Sequence, residues 1–226
     1  MSTINKKAYV FEMALVPANI FAMILFILAA IITYKIFGYV GLFEKPFVLT
    51  VMIAYLLLHE AFHGIGYYLG GCKWNNISFG ILLEKGIFYC MGYQELTKKN
   101  ILLSLQMPFT FLSVIPYIIA VIFHLPVLAW LAVINFMGAA MDMAMFIYIS
   151  RIGECHYGES GAPNEFVLIT SNDLSKKKSI FLRLKEVKEY KKQDFVFQNI
   201  KRFQWTKFSI IILLVIIGID LLNLIG

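Results

Sequence analysis

The chain has 226 residues, of which 60% are apolar and only 15% are charged. This balance excludes an ordinary soluble domain, because so few charged groups could not cover that much apolar surface; most of the chain is expected to face lipid. The formal net charge is +6, and the basic residues cluster beside apolar segments without any nucleic-acid-binding motif. That pattern favours an anionic membrane surface as the partner and excludes nucleic acid.

Five stretches are long and apolar enough to cross a bilayer as helices, since a span needs about 20 residues. They are residues 18–37, 47–69, 101–123, 127–150 and 208–225. Only Leu125 and Pro126 separate the third stretch from the fourth, which predicts a tight helical hairpin, and Pro108 and Pro116 predict a kink in the third. We therefore expect an all-α membrane protein with about five transmembrane helices.

Shorter segments depart from this helical pattern. Residues 77–83 and 86–93 are rich in β-branched and aromatic residues, which predicts a β-hairpin at the membrane surface, with an irregular loop as the alternative. Residues 165–170 have the composition of a short strand. Residues 174–192 have the pattern of a basic amphipathic helix, which either lies on anionic lipid or packs on its own domain.

The chain divides at the ends of the expected spans into three parts. They are a transmembrane core, a basic cytoplasmic α/β segment and a C-terminal transmembrane helix, formed by residues 1–150, 151–203 and 204–226. Lys and Arg are concentrated on one side of the spans, which places the N-terminus in the cytoplasm of a multi-pass cell-membrane protein. Three cysteines without a CxxC pair are expected to be reduced thiols: Cys72, Cys90 and Cys155.

His59, Glu60 and His63 lie together in the second expected span, in the sequence His-Glu-Ala-Phe-His. The four-residue spacing puts both imidazoles on one helix face, where they can hold a zinc ion (Zn²⁺) while Glu60 takes a proton from bound water. Zinc lowers the pKa of such a water to about 7. The alternative is two ordinary histidines and a chance glutamate, but ionisable groups inside a span usually mark a functional site.

A catalytic zinc usually has three protein ligands, so a third must come from another span. At 1.5 Å per residue, Asp142 lies about 12 Å from the cytoplasmic end of the fourth span, and His63 and His59 lie about 9 Å and 15 Å from that of the second. This matched depth makes Asp142 the expected third ligand, with a structural hydrogen-bonding role as the alternative. Other candidates fit less well: Glu12, His124, Glu154, His156 and Asp220.

Asn135 lies seven residues before Asp142 and therefore on the same helix face. It either orients a substrate or stabilises a developing oxyanion, or it simply ties helices together. The small residues at Gly138, Ala139 and Ala140 are expected to let the fourth span approach the second closely.

These motifs resemble those of a family of bacterial membrane proteins described as "putative zincin peptidases". The resemblance covers roughly residues 47–170 and is carried by the motif at 59–64, the hairpin after it, and residues 135–142. The chain is more distantly similar to site-2 (intramembrane) metalloproteases, where an aspartate after an Asn is the third zinc ligand; that role would fall on Asp142. Proteolysis inside the membrane is what this resemblance implies.

Together these features favour a membrane-embedded zinc-dependent metalloendopeptidase that cuts membrane or juxtamembrane substrates and whose active site opens to the cytoplasm. The expected hairpin would pair with an extended peptide substrate. Two alternatives stay open. One is a membrane-anchored zincin that acts on soluble proteins, and the other is a non-catalytic scaffold or transporter whose zinc is structural and closed by a fourth ligand.

Overall fold

The structure is a computed structural model, and it describes residues 6–41, 48–82, 87–160, 165–177 and 179–190. These residues form six α-helices and seven strands. In order they are β1 (Lys7–Met13), α1 (Leu15–Phe37), α2 (Val48–Leu69), β2 (Ile77–Leu82), β3 (Ile87–Gly92), β4 (Leu96–Thr97), α3 (Lys98–Phe109), α4 (Ile115–Phe123), α5 (Pro126–Gly138), α6 (Ala140–Ser150), β5 (His156–Glu159), β6 (Glu165–Thr170) and β7 (Leu182–Glu189).

Two helical stretches of the described chain are long and apolar enough to cross a membrane. The first is α1, and the second runs over Lys98–Phe123, where one π-helical turn (Thr110–Val114) joins α3 to α4 next to Pro108. The bent pair α5 and α6, which meet at an angle of 53°, would be a third if the pair is one span. α2 is not among these stretches, and the expected span at 208–225 lies outside the described residues.

The expected all-α architecture with five spans is therefore wrong. Seven strands form in the described chain, five of them in one sheet of order β4-β5-β6-β1-β7 and two in a separate hairpin. All the pairings are antiparallel, and β1 supplies the link between β6 and β7, which lie far away in sequence. A strand such as β1 has a weak local signal because its stability depends on partners that only the folded chain brings to it.

The hairpin and the strand expected from composition are both confirmed. β2 and β3 pair from Ile77↔Gly92 to Leu82↔Ile87, and the turn between them lies outside the described residues. The strand expected over 165–170 is β6. In both cases β-branched and aromatic residues occur in runs short enough to be distinguished from helices by length.

The helix expected over 174–192 is wrong, because a strand, β7, occupies Leu182–Glu189 of that segment. The register of β7 on β1 shifts next to Val10, so that Leu182, Leu184 and Val187 all face alternate residues of β1. The extra residue at this bulge puts Leu184 and Val187 three positions apart, instead of the two positions that are usual in a strand. That spacing imitates the apolar stripe of a helix.

The hydrophobic core lies between the five-stranded sheet and the helices α2, α3 and α6. The sheet contributes buried aromatic and aliphatic side chains, and α3 and α6 contribute aliphatic ones from the opposite side: Tyr9, Phe11, Phe166, Leu168, Ile101, Leu105, Met145 and Ile149. Burial of apolar side chains of this size contributes about 1.5–3 kcal/mol each. The sheet therefore holds the ends of these three helices in fixed positions.

α2 and α3 approach each other very closely. A Cβ atom at Gly66 would lie 2.4 Å from Ser104 Cα, so that only glycine fits at this contact. Gly138 behaves differently, because a Cβ atom there would meet no heavy atom within 4 Å. The expected role of Gly138 in close helix packing is thus wrong, whereas the neighbouring Ala139 and Ala140 are buried.

Candidate functional site

His63 is held in one orientation by the contact between α2 and α3. Its Nδ1 atom lies 3.0 Å from the carbonyl oxygen of Ser104, and the Ser104 hydroxyl donates to the His63 carbonyl at 3.0 Å. A carbonyl oxygen only accepts, so His63 Nδ1 carries the proton. The Nε2 atom of the neutral ring is therefore left with a lone pair, which points away from Ser104.

His59 is held in the same way by Asn135 of α5. The Asn135 side-chain nitrogen donates to the Pro108 carbonyl at 3.1 Å and to the Ser113 hydroxyl at 2.8 Å. Its side-chain oxygen lies 2.9 Å from His59 Nδ1 and accepts the proton of that atom. Both donors and the oxygen of Asn135 are thus occupied within the protein, which favours the helix-tying alternative for this residue over a direct contact with substrate.

Asp142 lies in the first turn of α6, just after the bend from α5. Its Oδ2 atom is 3.2 Å from His59 Nε2 and 3.3 Å from His63 Nε2, and the two Nε2 atoms are 3.2 Å apart. The structure therefore brings His59, His63 and Asp142 together, as the matched depth of the residues predicts. The positive end of the α6 dipole also favours a carboxylate in the first turn.

The three facing atoms of His59, His63 and Asp142 fit a metal ion better than they fit each other. When both imidazoles are neutral and their Nδ1 protons are donated elsewhere, two Nε2 lone pairs face a carboxylate oxygen, and three acceptors in mutual contact repel one another. A cation among them removes that repulsion. Zinc bonds of about 2.0–2.1 Å in a tetrahedron place neighbouring ligands about 3.3 Å apart, which agrees with the observed separations.

Glu60 lies beside this cluster and is not one of its converging donors. The backbone N–H of Cys90, in β3, donates a hydrogen bond to its carboxyl group. The carboxyl group therefore sits between α2 and the hairpin, where it faces the same cavity as the two histidines.

A cavity of about 640 Å³ surrounds these side chains. Its walls come from the helices, the hairpin and the five-stranded sheet alike. Among the described residues, four acidic ones line it and no lysine or arginine does; the acidic residues are Glu60, Asp142, Glu159 and Glu165. The cavity is thus rich in carboxyl groups and large enough for several residues of an extended peptide.

Sequence reasoning missed Glu159 and its two partners. Glu159 is buried, with 7% of its surface exposed, and its Oε1 atom accepts hydrogen bonds from the hydroxyl groups of Tyr67 and Tyr157, each at 2.9 Å. Burial raises the pKa of the Glu159 carboxyl group to about 7, although the two hydroxyl groups act in the opposite direction. Tyr67 had a detectable signal, since it follows His63 by one helical turn; Glu159 had none.

Of the other candidate ligands, those in the described chain lie outside the group formed by His59, His63 and Asp142. His156 pairs through Nδ1 with Glu95 at 2.8 Å, and Glu12 lies in β1. His124 ends α4 in a left-handed conformation with its ring against Phe37. Glu154 is exposed, Asp220 lies outside the described residues, and the three cysteines are free thiols as predicted.

Residues 52–157 match a protein family described as "Putative zincin peptidase". This part of the chain is therefore similar to that family. The matched segment contains His59, Glu60, His63, Asn135 and Asp142, and it ends just before Glu159. No curated protein and no solved structure matches the chain, and the more distant likeness to site-2 proteases stays a prediction.

The family supports a metallopeptidase, and its zincin character implies zinc as the metal. The described chain has one group of residues whose donor atoms all lie within 4.8 Å of one another, formed by His59, His63 and Asp142. The family and the donor set thus agree on where a metal would be held.

Proposed function

We propose that the protein is a membrane-embedded zinc metalloendopeptidase that hydrolyses peptide bonds near the membrane surface. One observation carries this proposal. The Nε2 atoms of His59 and His63 and the Oδ2 atom of Asp142 meet within 3.3 Å, while both Nδ1 atoms are already bonded elsewhere. Two imidazole nitrogens and a carboxylate oxygen that converge in this way suit a zinc ion.

His59, His63 and Asp142 would hold the zinc ion. A zinc ion bound there would polarise the scissile carbonyl group and lower the pKa of a water molecule towards neutrality. Asn135 and the Ser104 carbonyl keep the two imidazole rings in the orientation that presents Nε2. Such outer contacts fix the tautomer of a metal-binding histidine and raise its affinity for metal.

Glu60 is the general base of this proposal. Its carboxylate takes a proton from the attacking water and then gives that proton to the nitrogen of the departing amine. The Cys90 N–H restrains the carboxyl group against β3, so that it can face the reacting atoms without being a ligand. Positioned proton transfer of this kind typically contributes about 10²–10⁴-fold to the rate.

The outer edge of β3 supports binding of an extended substrate. Since the Cys90 N–H points to Glu60, the backbone groups of Cys90 and, two residues earlier, of Phe88 point away from β2 in an antiparallel pair. Phe88 and Cys90 both line the cavity beside the candidate base. A substrate strand added along this edge would place its peptide bonds next to Glu60.

The composition of the cavity walls also bears on the substrate. Leu105 and Met145 come from helices, whereas Tyr157 and Phe166 come from the sheet, so the cavity lies where the helices meet the sheet. This position favours juxtamembrane segments of membrane proteins as substrates. It also favours a second candidate function, in which a membrane-anchored zincin cuts soluble proteins that enter from the side of the sheet.

The test compares zinc-loaded wild type with Glu60→Gln in lipid nanodiscs. One panel contains single-span peptides with flanking segments, and a matched panel contains the flanking segments alone. We expect wild type to cut members of the first panel and Glu60→Gln to cut none, with equal zinc content in the two proteins. Cleavage of the second panel at the same rate would establish the second candidate function.

Two results would contradict the proposed mechanism. Equal cleavage by wild type and Glu60→Gln would remove Glu60 from the reaction. Absence of cleavage by wild type in every panel, with zinc bound, would favour a structural zinc in a scaffold or transporter.

A further inference from the structure

Glu159 presents one of its two carboxyl oxygens to the cavity. Oε1 accepts both tyrosine hydroxyl groups, and Oε2 accepts no hydrogen bond from the part of the chain that the structure describes. Oε2 is nevertheless not among the described buried polar atoms that lack a partner, so it is not sealed from solvent. Because Glu159 lines the cavity and is otherwise buried, Oε2 faces the space where a peptide would lie.

Glu60 and Glu159 are the two acidic groups of the cavity that form no ion pair with a described cation. Asp142 faces the two histidines, and Glu165 forms an ion pair with Lys185 and accepts a hydrogen bond from Ser160. No described lysine, arginine or histidine forms an ion pair with Glu159. A bound zinc ion would offset Asp142 and Glu60, and no described cation would then pair with the ionised form of Glu159.

A buried carboxylate is costly unless a cation or several donors compensate it. The two tyrosine hydroxyl groups fix the position of the Glu159 carboxyl group but bring no positive charge. Tyr67 follows His63 by one turn of α2, and its hydroxyl group donates to Glu159, which lines the same cavity as the candidate metal ligands. The length of one helical turn is similar to the reach of a substrate side chain next to the scissile bond.

We propose that Glu159 binds a cationic group of the substrate, an ammonium or guanidinium group, and so selects basic peptides for cleavage. This inference rests on the proposed peptidase function and adds the class of substrate. The source of the cation is either a Lys or Arg side chain or the free amino terminus of the peptide. Both sources offer N–H donors to a carboxylate oxygen, and a hydrogen bond with a charged partner strengthens binding by about 10–100-fold.

Three zinc-binding hydroxamates distinguish the sources, since each anchors at the metal and they differ in the position or absence of an ammonium group. N-acetyl-lysine hydroxamate carries a basic side chain, norleucine hydroxamate carries a free amino group, and N-acetyl-norleucine hydroxamate carries neither. Their dissociation constants are measured by calorimetry on the zinc-loaded full chain in detergent. We expect one of the two cationic compounds to bind at least about tenfold more tightly than the neutral one.

Glu159→Gln should make the three affinities equal, whereas Tyr67→Phe, which keeps the carboxyl group, should retain most of the preference. Equal zinc content shows that both variants are folded. Equal affinities in wild type, or a preference that persists in Glu159→Gln, would overturn the inference while leaving the peptidase proposal intact. If zinc-loaded wild type bound none of the three compounds, the open metal site would be contradicted, and the inference with it.

Discussion

The side-chain oxygen of Asn135 lies 2.9 Å from His59 Nδ1, and both amide hydrogens of Asn135 are donated to α3 and to the π-helical turn that follows it. One side chain thus connects α5, α2 and the helix around Pro108. The amide cannot rotate without losing two hydrogen bonds, so it fixes which nitrogen of His59 carries the proton. Asn135 is therefore a positioning residue for the candidate metal site.

Replacement of Asn135 by leucine removes the acceptor for His59 Nδ1 while keeping a similar side-chain volume. We expect the affinity for zinc to fall roughly 10–100-fold, because outer contacts of metal-binding histidines have effects of this size. Chelator competition on the purified protein measures the change. Ser113→Ala is the matched control, since it removes one partner of the amide but leaves the oxygen in place. Unchanged affinity in Asn135→Leu would exclude the positioning role.

Gly66→Ala should separate α2 from α3. The new Cβ atom would lie 2.4 Å from Ser104 Cα, and relief of that overlap should destabilise the protein by about 1–3 kcal/mol. It should also weaken zinc binding, because the Ser104 carbonyl orients His63. Gly138→Ala is the control, as its Cβ atom would meet nothing within 4 Å. Thermal unfolding of both variants in detergent provides the comparison, and equal stability would show that the close contact is absent.

Glu159 should make the stability of the metal-free protein depend on pH. Its pKa is raised from 4.5 to about 7 in the folded protein, so the folded state holds its proton more tightly than the unfolded state does. Stability is then lost as the pH rises from about 4.5 through 7, by up to about 3 kcal/mol. The melting temperature of wild type should therefore fall more between pH 5 and pH 8 than that of Glu159→Gln. Parallel curves for the two proteins would contradict a raised pKa.

The five-stranded sheet and the α4–α5 connection should lie on opposite sides of the membrane. The helical stretch Lys98–Phe123 has 26 residues, or about 39 Å, and it leads from the sheet to Leu125. In a cysteine-free background, Lys185→Cys should react with an impermeant reagent from the cytoplasmic side and Leu125→Cys from the outside. Labelling of both from one side would refute this topology and the cytoplasmic opening of the site.

Local spacing was enough to predict the pair His59 and His63, and a run of β-formers was enough for the hairpin and for β6. Both signals lie within one element, where side-chain direction follows from the helical or strand period. Asp142 required a further assumption about depth in the membrane, and the structure places it against the histidines. The two agree although the expected fourth span is bent at Ala139, between α5 and α6. No proline lies at this bend, so the sequence did not predict it.

The rest of the fold could not be read from local patterns, because it depends on pairing between distant segments. β1 forms only because β6 and β7, which are distant in sequence, pair with its two edges. β4 has only two residues, which is too short for an alternating pattern. Glu159 reaches the cavity through the pairing of β5 with β6, which brings it opposite Phe166. Its role as a cavity residue therefore becomes visible only once the sheet is formed.

The metal content of the purified protein tests the central claim most directly. Wild type and Glu60→Gln should each hold one zinc ion per chain, and His59→Ala and Asp142→Ala should lose most of it, because two donors are left in each case. Glu154→Gln and His156→Ala are the controls and should keep their zinc, as neither residue belongs to the converging group. Full zinc occupancy in Asp142→Ala, or none in wild type after loading, would contradict the proposed metal site.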